Sequence, residues 1–329
     1  MTPSPVQRTL ILDTDIGSDV DDAMALAQIL GTPTATLHSV TTVYGDTRLR
    51  AQIARRYGAL AGRNLKVYAG ESAPISGKAV WWPGHEGTLH PEISTEQFQD
   101  EHAVNHLIAA VTARPGELDI VAIGPLTNIA AALTRERGIA TAIRHLWVMG
   151  GSFGRIDETE HNFRSDDVAA SVVFGAGIPT TVTGLDVTRQ ITMGPEQLAQ
   201  ISDAGRIGSA LGADIEQWWA YWNETWNVPH DPVAVLTLTR PDLFAFTPPG
   251  VVEIELGGTG AGRSTFHPDE GGTTRVATEI QGASAAAAIT GAIVASAPPT
   301  SGTEQNRPTE GESRSPVTHR RGGNNGDST

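Results

Sequence analysis

Five short apolar runs constrain this chain most: 9–12, 37–43, 118–123, 145–149 and 179–184, several of them rich in Val, Ile and Leu. Each gives way to polar or glycine-rich residues and then to a helical pattern, at 21–30, 48–61, 125–135, 165–174 and 195–201. Such alternation suits a mainly parallel sheet, because parallel neighbours need a long crossover rather than a tight turn. The expectation is an α/β fold with a single open, mainly parallel sheet and flanking helices, Rossmann-like in outline. No internal repeat or linker interrupts residues 1–297, which read as one compact domain. Near its end, 283–297 (ASAAAAITGAIVASA) is small-residue-rich and too short to span a bilayer, and is expected to be a packed terminal helix. Residues 298–329 are dominated by Pro, Gly, Ser, Thr and charge, and are expected to be a disordered low-complexity tail.

The formal net charge is −14, with no basic stripe, which argues against nucleic acid or an anionic membrane as partner. Small molecules and cations are the ligands that fit. The chain has no cysteine, so disulfides, thiolate zinc sites and cysteine nucleophiles are all excluded. The opening MTPSPVQRTLILDTD has no apolar stretch of signal-peptide length, and a cytoplasmic location is expected.

At the end of the first run, TLILDTDIGSDVDDAM gathers Asp13, Asp15, Asp19, Asp21 and Asp22 within ten positions. Carboxylates this close disfavour one another's ionised forms, so the cluster needs a cation, dispersal into solvent or support from a helix dipole. Asp21 and Asp22 could simply favour a helix start and the others fill turns, but caps and turns alone do not require five acids. In open α/β sheets ligands bind outside the carboxyl ends of strands, where these residues fall. Carboxylates are hard oxygen donors suited to Ca²⁺ or Mg²⁺. An EF-hand is excluded, because that loop wants an acid and then glycine where this chain has Gly17 and Ser18. Zinc is poorly served too: the histidines of HEGTLH (residues 85–90) are one position too far apart for the HExxH pattern, and Gly87 disfavours helix.

Further polar motifs stand at later strand ends. Taken with DTDIGSDVDDA (13–23), the motifs TTVYGD (41–46), GPLTNIA (124–130), VMGGSF (148–153), EHN (160–162), GLDVT (184–188) and HDPVAV (230–235) make the chain resemble the inosine-uridine-preferring nucleoside hydrolase family, in order from about residue 9 to 297. The resemblance implies a nucleoside hydrolase fold over 1–297 and hydrolysis of the N-glycosidic bond of ribonucleosides to free base and ribose, at a tightly bound Ca²⁺. It implies that Asp15, Asp22 and Asp231 are side-chain calcium ligands, joined by the backbone carbonyl of Ile123. Asp21 becomes the general base for a calcium-bound water, Glu160 and Asn162 hold ribose hydroxyls, and His230 lies beside the base pocket. A homodimer or homotetramer is implied as well.

Many family members read DTDPGxDD without the two extra residues found here, so Asp19 is additional, and Asp21 is assigned by counting back from Asp-Asp-Ala. Where the family usually has Asn after TTVxG this chain has Asp46, expected to add charge near the ribose. His161 replaces an aromatic or apolar residue between Glu160 and Asn162. In EQWWAYWNETW, Trp218, Trp222 and Trp226 are spaced to share a helical face, with Trp222 a candidate stacking platform for the base. His85 is a candidate for a second polar contact to the base or for the leaving-group acid. Two alternatives stand beside this reading. A haloacid-dehalogenase-like phosphatase would use ILDTD as a nucleophile motif but needs a downstream lysine, and the only lysines are Lys66 and Lys78. A noncatalytic calcium-dependent nucleoside or sugar binder could share the fold.

Overall fold

The computed structural model describes residues 7–298. The expected tail, apart from Pro298, lies outside the described residues. The first wing consists of β1 (Arg8–Thr14), α1 (Asp21–Gly31), β2 (Ala35–Thr42), α2 (Thr47–Leu60) and β3 (Val67–Ala69). The second contains α3 (Ala103–Ala113), β4 (Leu118–Ala122), α4 (Thr127–Arg135), β5 (His145–Met149), α5 (His161–Ser165), α6 (Asp167–Phe174) and β6 (Thr180–Thr183). Four helices follow: α7 (Leu185–Thr188), α8 (Pro195–Ser202), α9 (Gly205–Trp222) and α10 (His230–Thr239). Then come β7 (Phe244–Phe246), β8 (Gly250–Ile254), β9 (Ser264–Pro268), β10 (Thr274–Ile280) and α11 (Gly282–Ala295).

The strands form one sheet in the order β3-β2-β1-β4-β5-β6-β10-β8-β9, with β7 pairing to β10. From β3 to β10 along this order the pairings are parallel, and β7, β8 and β9 add antiparallel pairings at one end. The open, mainly parallel sheet expected from the sequence is therefore present, and its antiparallel end was not anticipated. The helix expected at 165–174 is instead two helices. Asp166 breaks it with φ −145° and ψ 76°, and its carboxylate then caps α6 by accepting the Ala169 amide.

Alternation along β1 explains why both faces of the sheet are covered. Leu10 and Leu12 pack with α1, α2, α9, α10 and α11 on one side, while Ile11 packs with α3, α4 and α6 on the other. All three are fully buried, each burial being worth about 1.5–3 kcal/mol. The small residues of α11 also have a purpose. A Cβ on Gly31 at the end of α1 would stand 1.8 Å from the Ala292 carbonyl oxygen, so only glycine lets the two helices approach this closely. That bears out the packed terminal helix. No helix among the described residues is long and apolar enough to cross a membrane.

Candidate active site

The chain leaves β1 for β2 and β3 on one side, then returns to lay β4, β5 and β6 on the other. Strand order thus reverses between β1 and β4, and the loops after these two strands diverge to open a crevice at their carboxyl ends, the usual ligand position in such sheets. A cavity of about 500 Å³ occupies this place. Its floor carries Asp15 from the β1 loop, Asp21 and Asp22 from the start of α1, Ile123 from the β4 loop and Asp231 from the start of α10. Glu160 and Asn162 line one side, and Trp222 and His230 line another.

Carboxylate oxygens of Asp21, Asp22 and Asp231 lie within 4.8 Å of one another, and all three residues are buried. Asp21 Oδ2 also accepts the Asp231 amide at 3.2 Å, joining the starts of α1 and α10 across 210 residues of sequence. Burial, then mutual repulsion, drives all three carboxyls well above their ordinary range, and burial raises Asp15 in the same direction. Two helix N-termini point their partial positive charge at the cluster, which eases but does not cancel this load. A divalent cation would let the carboxylates ionise together, and the donor set is all hard oxygen, so a calcium-like ion fits the residues present.

Neighbouring groups hold the floor in shape. Thr14 Oγ1 donates to Asp22 Oδ1. Asp13, buried below, accepts from Asn128 at 2.8 Å and Thr41 at 2.5 Å on Oδ1, and burial lifts its carboxyl to about 7. The extra Asp19 accepts the Asp21 amide at 3.3 Å and so closes the turn into α1, which begins at Asp21 as counting back from Asp-Asp-Ala implies. Asn162 Nδ2 donates to the Ile123 carbonyl at 2.8 Å, fixing the direction of that oxygen. Glu160 caps α5, accepting the amides of Asn162 (2.7 Å), Phe163 (3.0 Å) and Gly151 (3.1 Å). Asp186 was given no role in the sequence reading, yet it shapes the wall by accepting the amides of Phe153, Arg155 and Ile156. Only its place in the GLDVT motif hinted at this.

Other expected site residues divide. His230 lines the cavity, shares a 2.8 Å hydrogen bond with Thr188 through Nδ1, and is pushed down to about 4 by burial. Trp218 and Trp222 both line the cavity, their rings edge to face at 5.7 Å. Trp226 lies beyond the left-handed Asn223 that ends α9, so it does not continue the stripe. His85 stands in a smaller adjoining hollow, where Nε2 meets the Ser18 carbonyl at 2.7 Å, rather than in the main cavity. His90 pairs separately with Asp214, so the two histidines of HEGTLH do not converge. Asp46 is exposed and caps α2 by accepting the Leu49 amide at 3.0 Å, outside the cavity lining. Lys78 lines the cavity but is committed to Asp167 at 2.8 Å and the Arg164 carbonyl, and Lys66 is not part of the cavity lining.

The comparisons with known proteins agree with this geometry. The family model for inosine-uridine preferring nucleoside hydrolase matches residues 10–287. Uridine nucleosidase 1 of Arabidopsis thaliana is 31% identical over 277 residues, covering 78% of this chain and 80% of the relative. Pyrimidine-specific ribonucleoside hydrolase RihB of Escherichia coli O9:H4 (strain HS) is 34% identical over 219 residues, 64% of this chain and 69% of that protein. Among solved structures, the plant nucleoside hydrolase PpNRh1 superposes with a TM-score of 0.79 at 25% identity, over 87% of this chain and 99% of its own. The carboxylate floor at the switch point and these matches together mean that the chain belongs to the inosine-uridine preferring nucleoside hydrolase family.

Proposed function

We propose that this nucleoside hydrolase cleaves the N-glycosidic bond of ribonucleosides with the help of one Ca²⁺, releasing free base and ribose. The observation that carries the reading is the convergence of Asp21, Asp22 and Asp231, from opposite ends of the domain, on the floor of a nucleoside-sized cavity. Asp22, Asp231 and the Ile123 carbonyl, with Asp15, would hold the ion. When bound, calcium supplies a polarised water and a chelating position for ribose hydroxyls.

The chain's own residues do the rest. Asp21 takes a proton as the water oxygen attacks the anomeric carbon; the bond to the base nitrogen breaks with its electron pair leaving on that nitrogen, which is then protonated from solvent. Positive charge developing on the sugar is favoured by the acidic floor. Asn162 keeps the Ile123 carbonyl in place, and Glu160 offers its remaining lone pairs to sugar hydroxyls. Trp218 and Trp222 give the base an apolar face, and His230, neutral at physiological pH, is the polar side chain best placed beside it.

A second assignment has its own support. Asp21, rather than Asp15, sits in the tight group with Asp22 and Asp231. That favours Asp21 as an ion ligand and leaves Asp15 to take the proton. Measuring calcium content and turnover of Asp15→Ala and Asp21→Ala separates the two, because the base variant keeps the ion and the ligand variant loses it.

The names of the relatives make uridine the first substrate to test, with inosine beside it. Base release from either, lost on chelation and restored by Ca²⁺, is the expected result. No release from any ribonucleoside in a panel would leave a noncatalytic binder. A homodimer or homotetramer in the cytoplasm completes the proposal, and sedimentation would test the assembly.

A further inference from the structure

Arg50, on α2, is fully buried, yet its guanidinium contacts only neutral groups. Its Nε donates to the Tyr44 carbonyl at 2.6 Å, and one Nη donates to the carbonyls of Asp15 and, at 3.0 Å, Ile16. The other Nη reaches Ser18 Oγ at 3.1 Å, and that hydroxyl donates onward to buried Glu86 at 2.8 Å. Glu86 is itself fixed by accepting the Gly84 amide at 2.8 Å. The Trp82 ring covers the guanidinium at 4.8 Å from its centroid. Gly45, at φ +80°, makes room for that ring, since a Cβ there would lie 2.6 Å from it.

Burying a guanidinium away from water is expensive unless every donor is used and charge is compensated. Here one donor goes to Tyr44 and the others to the stretch from Asp15 to Ser18, the nearby carboxyls of Asp15 and Asp22 offset the charge, and Glu86 is reached through a hydroxyl. This stretch opens the turn from Asp15 to Asp21, which with the additional Asp19 is two residues longer than in the DTDPGxDD pattern, and a longer turn loses more conformational freedom on ordering. A planar guanidinium whose three nitrogens reach Tyr44, the Asp15 and Ile16 carbonyls and Ser18 separately answers that need, which the single-point ammonium of lysine cannot do.

We propose that Arg50 is a positioning residue for the cation site, holding the turn between β1 and α1, through the Asp15 and Ile16 carbonyls and the Ser18–Glu86 relay, in the shape that presents its aspartates to a divalent ion. The inference rests on the function proposed above and deepens it. HEGTLH thereby gains a use that is not zinc binding: its glutamate is the far end of the relay.

The test is calorimetric titration of chelator-stripped full-length protein with CaCl₂, together with melting and uridine kinetics across a range of calcium. Arg50→Lys keeps the charge but loses the fork. It is expected to bind Ca²⁺ about 10- to 100-fold more weakly, the usual effect of losing a group that orients metal ligands, and to regain much of its kcat at saturating calcium. Ser18→Ala is expected to shift affinity in the same direction by about tenfold. Glu86→Gln, whose amide oxygen still accepts from Ser18, should shift it less. Unchanged affinity in Arg50→Lys, even with lowered melting, would mean a purely structural or purely electrostatic role and overturn the proposal. Should Arg50→Lys fail to fold, unchanged affinity in Ser18→Ala overturns it instead. A wild-type protein that binds no Ca²⁺ and releases no base defeats the proposed function, whereas a wild type that does both alongside indifferent variants defeats only this inference.

Discussion

The floor and the rim of the cavity are built on opposite principles. The floor is buried, charged and cross-braced: Asp21, Asp22 and Asp231 are each about 3% exposed and tied to strand ends or helix starts. The rim is aromatic and open, with Trp222 55% and Trp81 38% exposed. A floor of that kind has one competent arrangement, set by the core. A rim of that kind can repack around different bases. Under the proposed function, the contrast places chemistry on the floor and substrate choice at the rim.

The largest test removes a floor carboxylate. Replacing the catalytic base by alanine should lower turnover by roughly two to four orders of magnitude. Asp22→Ala or Asp231→Ala should lose the ion together with activity, a pairing that elemental analysis and kinetics would check. Chelation should also lower the melting temperature, because an ion bound only by the native state stabilises it by mass action. A smaller effect is expected at the rim: Trp222→Ala should raise KM for uridine or inosine by about tenfold, within the range of lost base stacking, with kcat nearly kept. If instead kcat collapsed while KM held, the division between floor and rim would be wrong.

Away from both regions, His106 gives a pH-dependent effect. Burial, with help from His38 and Lys66, holds it down to about 4, beside Tyr68 and Ser39. An unfolded histidine titrates near pH 6.5. Between those values the unfolded chain binds a proton that the folded chain refuses, so stability is full above about 6.5 and falls as pH drops towards 4. His106→Gln should flatten the melting profile between pH 7 and 5 by about 2 kcal/mol relative to wild type. The smallest expected effect is at Asp46. Its replacement by alanine should cost about 1 kcal/mol of stability through the lost helix cap and leave kcat/KM for uridine unchanged.

That last case shows where the sequence was opaque. An aspartate that caps a helix and one that faces a sugar can occupy the same motif position, and only the φ/ψ path of the loop decides which way it points. The parallel strands were legible because each is a short apolar run closed by a turn and a helix. Strands β7 to β9 were not, because short strands such as β8 (Gly250–Ile254) alternate too briefly to stand out. The acidic floor was legible because five aspartates together demand an explanation. Arg50 was invisible for the opposite reason: in RLRAQIARR it looks like any surface arginine, and its burial depends on Trp82 and Glu86 arriving from another loop.

The contact between α1 and α11 bears on how the enzyme comes into being. Helix α1 carries Asp21 and Asp22 and is clasped along its far end by α11, the last element of the domain. Asp231 reaches the floor only with α10. A chain emerging from the ribosome therefore displays its acidic turn long before the partners that complete it exist. Under the proposed function, ion capture becomes a late event in biogenesis, coupled to the docking of the last helices, and the nascent first wing remains without activity until then.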